Sequence, residues 1–155
     1  MNETQCRDRR PVLVVEDTED DYETVVEAAR RARVENQLVH AADASTAARL
    51  LYGAPADTFA FVLLDYNLPG VDGLEFLDEL RRHPVHRRLP VVIFTASVNA
   101  RDRAAFHVAG ASAYHVKVMQ FDRCLGMLQD IFDRWLTPRA PPGSAACAPP
   151  QGASG

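Results

Sequence analysis

Six apolar residues run from Phe59 to Leu64 and end at once in Asp65. The stretch reads FAFVLLDYNLPGVDG, and after Asp65 it is rich in turn formers: Asn67, Pro69, Gly70, Asp72 and Gly73. An uninterrupted apolar run of this length suits a strand covered on both faces, as in a parallel sheet. Such a strand delivers its last carboxylate to the carboxyl edge, where open α/β sheets bind ligands. The design returns three times. Val12 to Val15 runs into Glu16-Asp17, Val91 to Phe94 into Thr95, and Ala113 to Val116 into Lys117. If these strands are parallel neighbours, an acidic pair, a carboxylate, a hydroxyl and an amine meet at one edge.

Helical patterns fill the gaps. One is expected over about 21–33, with Tyr22, Val25, Val26 and Ala29 at helical spacing behind the capping types Asp17, Thr18 and Asp20. A strand over about 37–42 follows, then a helix over 46–53 capped by Ser45 and stopped at Gly53-Ala54-Pro55. Leu74, Leu77 and Leu80 mark a helix over 74–83 that ends before Pro84. Asn99 caps a helix over 100–109, with Asp102 in a box-like spacing and Gly110 as its stop. A last helix over 121–136 ends before Pro138. Five strands alternating with five helices imply a parallel sheet with helices on both faces. The flavodoxin-like order 2-1-3-4-5 is the natural one, and it sets Glu16, Asp17 and Asp65 in one crevice.

The expected layout is therefore a flexible tail over 1–10, one domain over 11–137 and a disordered Pro/Ala/Gly-rich tail over 138–155. A 155-residue chain with 47% hydrophobic and 25% charged residues can bury a single core. A net charge of −4 gives no basic footprint for nucleic acid. Neither a signal-peptide core nor a run of about 20 apolar residues is present, so a cytoplasmic protein is expected. The three cysteines, Cys6, Cys124 and Cys147, lack metal or disulfide spacing and read as free thiols.

Carboxylates crowded at a strand edge need compensation. A pair of like charges 4 Å apart repels by about 4 kcal/mol at an effective dielectric of about 20. One lysine offsets only part of this. Oxygen-only donors favour Mg²⁺, with Mn²⁺ in its place, and no His or Cys stands at these strand ends to favour zinc. With a cation bridging and Lys117 opposite, Asp65 is suited to attack phosphorus and form an aspartyl phosphate. Thr95 offers a hydroxyl to a phosphate oxygen, and Asn67 a backbone carbonyl to the metal.

The constellation Glu16-Asp17, Asp65, Thr95 and Lys117 resembles the receiver domain of two-component response regulators, over about 11–136. LLDYNLPGVDGLEFL looks like that family's phosphoacceptor segment and VVIFTAS like its threonine segment. The resemblance implies phosphorylation of Asp65 by a sensor histidine kinase. It also implies Mg²⁺ held by Glu16, Asp17, Asp65 and the Asn67 carbonyl, and a switch made of Thr95 and Tyr114. One departure stands out: Val118 follows Lys117 where the family usually has proline. The ending IFDRWL is similar to single-domain regulators paired with bacterial phytochrome kinases.

Plainer readings compete at each position. Asp65 alone is a turn or capping residue, Glu16-Asp17 a first-turn acidic pair, and Tyr114 a packing aromatic. The convergence of all of them favours the switch. His83, His86, His107 and His115 are scattered and read as surface or satisfied residues. The last helix carries more apolar residues than one narrow stripe needs, so Phe121, Leu125, Leu128, Phe132 and Trp135 are candidates for an interface. That interface would be a homodimer through the fourth helix, fifth strand and fifth helix. With no output domain expected after Leu136, the reading is a stand-alone regulator rather than an enzyme, with slow self-dephosphorylation at most. The alternative is a receiver-like interaction domain that works without phosphorylation. A phosphohydrolase is disfavoured because Asn67 stands where such an enzyme needs a second acid. A nucleotide binder is disfavoured because Glu16-Asp17 replaces a phosphate-cradling loop.

Overall fold

A computed structural model describes residues 8–65 and 73–136. The elements, in chain order, are β1 Val12–Val15, α1 Glu19–Arg31, β2 Leu38–Ala41, α2 Ala44–Tyr52, β3 Phe61–Leu64, α3 Gly73–Arg82, β4 Val91–Thr95, α4 Ala100–Ala109, β5 Ala113–Val116 and α5 Phe121–Leu136. The sheet is parallel throughout, in the order β2-β1-β3-β4-β5. This is the flavodoxin-like arrangement that the alternating pattern favours.

Strand periodicity sorts the core into two layers. Leu13, Val15, Val62, Leu64, Val91 and Ile93 face α2, α3 and α4, meeting Leu51, Phe76, Leu77, Leu80 and Phe106. The alternate residues Val12, Val14, Phe61, Leu63, Val92 and Phe94 face α1 and α5. Right-handed crossovers require this division. The chain steps from β1 outward to β2, then reverses to β3, β4 and β5, so α1 lies opposite α2–α4 and α5 returns to the face of α1. The reversal opens the crevice between the carboxyl ends of β1 and β3.

Several expected boundaries move for local reasons. Helix α1 starts two residues early because Thr18 caps it, its side chain accepting from the Asp21 N–H at 3.3 Å. Within α1, Val26 turns out to be exposed, while Val25, Ala28 and Ala29 are buried. Asp43, not Ser45, caps α2, accepting from the Thr46 N–H at 2.7 Å. Asn99 caps α4 as its residue type suggests, but Asp102 does not reach back to the cap. It accepts instead from the Ser97 hydroxyl at 2.7 Å, and that hydroxyl accepts from the Asn99 N–H.

Residues 8–10, expected to belong to a flexible N-terminal tail, are instead tied to the domain. The Asp8 N–H donates to the last carbonyl of α5, that of Leu136, at 2.8 Å. The Asn36 amide donates to the Asp8 and Arg10 carbonyls. Residues 138–155, Cys6 and Cys147 lie outside the described residues. Cys124 is a half-buried free thiol, and burial pushes its pKa up.

The interface expectation on α5 needs correcting for three of its five residues. Leu125, Leu128 and Phe132 are buried in the α1–α5 layer, at 1%, 0% and 0% exposure, and present no surface to a partner. Docking against both the sheet and α1 consumes the wide apolar face of α5. Phe121 is exposed, and Trp135 is half-buried at the edge of the same layer.

Candidate functional site

The site forms where β1, β3, β4 and β5 end. Registers pair Val15 with Leu64, Leu64 with Ile93 and Thr95 with Val116. The residues that follow, or end, these strands therefore share one edge. Glu16, Asp65 and Thr95 are the buried polar side chains there, at 4%, 7% and 0% exposure. Burial of two acids next to each other demands a cation, and Lys117 supplies it. Its Nζ donates to Asp65 Oδ2 at 2.8 Å and reaches Glu16 Oε1 at 3.4 Å. Lys117 is the only lysine among the 17 basic residues of the chain. A compact ammonium with three donors fits this convergence better than the planar fork of arginine. The ammonium also stands 5.5 Å from the centre of the Phe94 ring.

Charge remains unbalanced. Burial, together with the hydrogen bond and negative charge of Asp65, pushes Glu16 up to about 8, against the pull of Lys117. Burial works against the Lys117 ammonium, but Asp65, Glu16 and Asp21 outweigh it and raise its pKa. Ligand atoms of Glu16, Asp21 and Asp65 lie within 4.8 Å of one another. These all-oxygen donors and their excess of negative charge fit a hard divalent cation.

The backbone holds the acids in place. The Glu16 N–H donates to the Ala41 carbonyl, and the Asp65 N–H to the Val15 carbonyl. The Glu16 carbonyl pairs with His40 Nε2 at 2.8 Å, and the His40 ring stacks on Tyr22 at 3.9 Å. Thr95 Oγ1 accepts from the Ser97 N–H, and the Thr95 carbonyl accepts from the Lys117 N–H at 2.6 Å. Tyr114 packs on Phe106 of α4, with its hydroxyl donating to the Ser97 carbonyl at 3.3 Å and Arg103 over its ring. Thr95 and Tyr114 are thereby linked through a single residue, Ser97.

The structure brings together Glu16, Asp65 and Lys117, with Thr95 at the end of the adjoining strand. Asp17 is exposed beside Glu16 and does not join the close group of three. Asn67 lies outside the described residues. Two residues were missed. Asp21 gives no signal in strand-end reasoning because it comes from the first turn of α1. His40 hides in the alternation of β2, where a polar residue reads simply as one facing outward.

Among the described residues no helix is long and apolar enough to cross a membrane. A doubly wound parallel sheet with an acidic, lysine-bridged crevice at its switch point defines the class: an α/β domain that works at its carboxyl edge. The chain belongs to the response regulator receiver domain family, whose profile matches residues 12–129, and so to two-component signalling. Response regulator Rcp1 of Synechocystis sp. is 30% identical over 131 residues, covering 81% of this chain and 88% of that protein. The solved Mn²⁺-bound form of Rcp1 superposes with a TM-score of 0.77 at 30% identity, over 85% of this chain and 99% of that one. The phosphorylated cyanobacterial phytochrome response regulator RcpA gives a TM-score of 0.77 at 27% identity, covering 83% and 95%.

Proposed function

We propose that the chain is a phosphoacceptor switch in which Asp65 receives a phosphoryl group from a sensor histidine kinase. The observation that carries this reading is the buried Asp65 carboxylate, 2.8 Å from Lys117 Nζ at the switch point of the sheet. An Asp65 oxygen attacks phosphorus, and the bond from phosphorus to the donor atom breaks, its electron pair leaving with the donor. Lys117 holds the attacking carboxylate and draws in the transferring oxygens. Thr95 donates its hydroxyl to one of them. Glu16 and Asp17, with Asp65 and the Asn67 carbonyl, would hold Mg²⁺, or Mn²⁺ in its place. Such a cation would supply the charge neutralisation that phosphoryl transfer to a carboxylate needs.

The kinase approaches over the mouth of the crevice. Asp20, Glu23, Thr24, Val26, Glu27 and Phe121 line a shallow groove between α1 and the start of α5, with acids beside two exposed apolar side chains. The likeness to RcpA, a phytochrome response regulator, supports a phytochrome-type kinase as the partner. The switch acts in the cytoplasm. Output runs through Thr95, Ser97 and Tyr114 to α4, and from there to a second copy across α4, β5 and α5. Of the five α5 candidates, Phe121 and Trp135 are left to serve such contacts. Nucleic acid plays no part.

Intact mass after incubation with acetyl phosphate, with and without Mg²⁺, tests the reading beside Asp65→Asn. One added phosphoryl group that needs both Mg²⁺ and Asp65 is expected. A folded protein that gains none under any condition would overturn the reading and favour an interaction domain that works without phosphorylation.

A further inference from the structure

Lys117 has a third acidic neighbour. Asp21 Oδ2 lies 3.4 Å from its Nζ, matching the Glu16 distance. An ammonium has three N–H donors, and here three carboxylates stand within reach of them. The three differ in how they are held. Glu16 and Asp65 follow buried strands, and their side chains are 5% and 8% exposed. Asp21 comes from the first turn of α1, placed by the Thr18 cap, and its side chain is 53% exposed. A phosphoryl oxygen arriving at Asp65 must take one donor of Lys117. Glu16 cannot yield it without moving through packed surroundings, because its side chain is almost fully enclosed. Asp21 can yield by a side-chain rotation into water.

We propose that Asp21 is a positioning residue that competes with the incoming phosphoryl group for Lys117. It tethers the ammonium over the crevice in the unmodified protein and is the partner displaced on phosphorylation. Asp21 thereby sets how much phosphoryl donor the switch needs before it responds. The inference rests on the phosphoacceptor reading of Asp65.

The single lysine makes the tether directly observable, since lysine-selective ¹⁵N labelling yields one side-chain Nζ signal. Asp21→Asn is expected to shift that signal and speed its proton exchange, while Asp21→Glu, which keeps the charge, stays near wild type. At saturating Mg²⁺ the acetyl phosphate concentration giving half the maximal rate should fall about two- to fivefold in Asp21→Asn, the range for a half-exposed ion pair. The difference should shrink in 0.5 M salt by screening. A mere structural role for Asp21 would not produce a salt-sensitive change in half-saturation that Asp21→Glu restores. An unchanged Nζ signal, or an unchanged half-saturating concentration in a phosphorylatable protein, would overturn the inference. A wild-type protein that takes no phosphoryl group overturns the phosphoacceptor reading itself, and the competition with it, while the Nζ signal still reports whether the tether exists.

Discussion

The two helices beside β5 are held in opposite ways. Helix α5 buries Leu125, Leu128, Ile131, Phe132 and Leu136 along its length. Helix α4 buries one side chain, Phe106, and leaves Val108 85% exposed. Each fully buried side chain of this kind is worth about 1.5–3 kcal/mol, so α5 is fixed by several such contributions and α4 by one. The ends of α4 do the remaining work. Asn99 and the Ser97–Asp102 hydrogen bond hold its start. At its finish Gly110 adopts φ 104° and Arg81 reaches over from α3. An element held by its ends and one side chain shifts at low cost, and elements that move in signalling come from the less stable parts of a fold. Helix α4 is also the one that Ser97 and Tyr114 link to Thr95.

Breaking the anchored helix should have the largest effect. Phe132→Ala removes a fully buried ring packed edge-on to Phe61 at 6.2 Å. A loss of about 3–5 kcal/mol is expected in urea denaturation. A loss below about 1 kcal/mol would mean that α5 is not the rigid partner described. The clasp on α4 comes next. Arg81 donates to the carbonyls of Gly110, Arg87 and Leu89, the last at 2.7 Å. Arg81→Met keeps the stem and strands those acceptors, costing about 2 kcal/mol. Amide exchange should rise in α4 before it rises in α5. Equal acceleration in both helices would dissolve the contrast between them.

The contrast between α4 and α5 was only half legible in the sequence. Strand ends were readable because burial on both faces leaves long apolar runs, so Glu16, Asp65, Thr95 and Lys117 stood out where each run stopped. Caps were less so: Asp43 and Ser45 are both good capping types, and only the backbone decides between them. Leu125, Leu128 and Phe132 were misjudged because residue type does not say whether a wide apolar face meets the fold's own α1 and sheet or another molecule. Asp21 was invisible for a different reason. Its partnership with Lys117 spans 96 residues and depends on where α1 begins.

A smaller effect tests the strand between the two helices. His115 Nε2 is buried with no hydrogen-bond partner among the described residues. Burial lowers its pKa below the ordinary 6.5 of histidine, helped by Arg134 and Arg103 and opposed by Asp130. The folded state therefore binds fewer protons at His115 than the unfolded chain does. Its contribution is intact above about 6.5 and is lost as pH falls toward the lowered folded value. Against His115→Phe, wild type should lose stability between pH 7.5 and pH 5.5, other groups cancelling in the difference. The same difference at both pH values would mean that the ring is not desolvated.

The smallest expected effect is the most informative about α4. Val108→Ser removes an apolar side chain that touches little in the protomer, so stability should stay within about 0.5 kcal/mol. That holds for a monomer at any concentration. If α4 meets a second copy, the apolar face counts toward association, and folding becomes coupled to protein concentration. Val108→Ser would then leave dilute protein unchanged and lower the stability of concentrated protein, more strongly after phosphorylation than before. Denaturation at two concentrations at least a hundredfold apart separates these cases. A concentration-independent result in both phosphorylation states would leave α4 weakly held for another purpose, contact with a different protein.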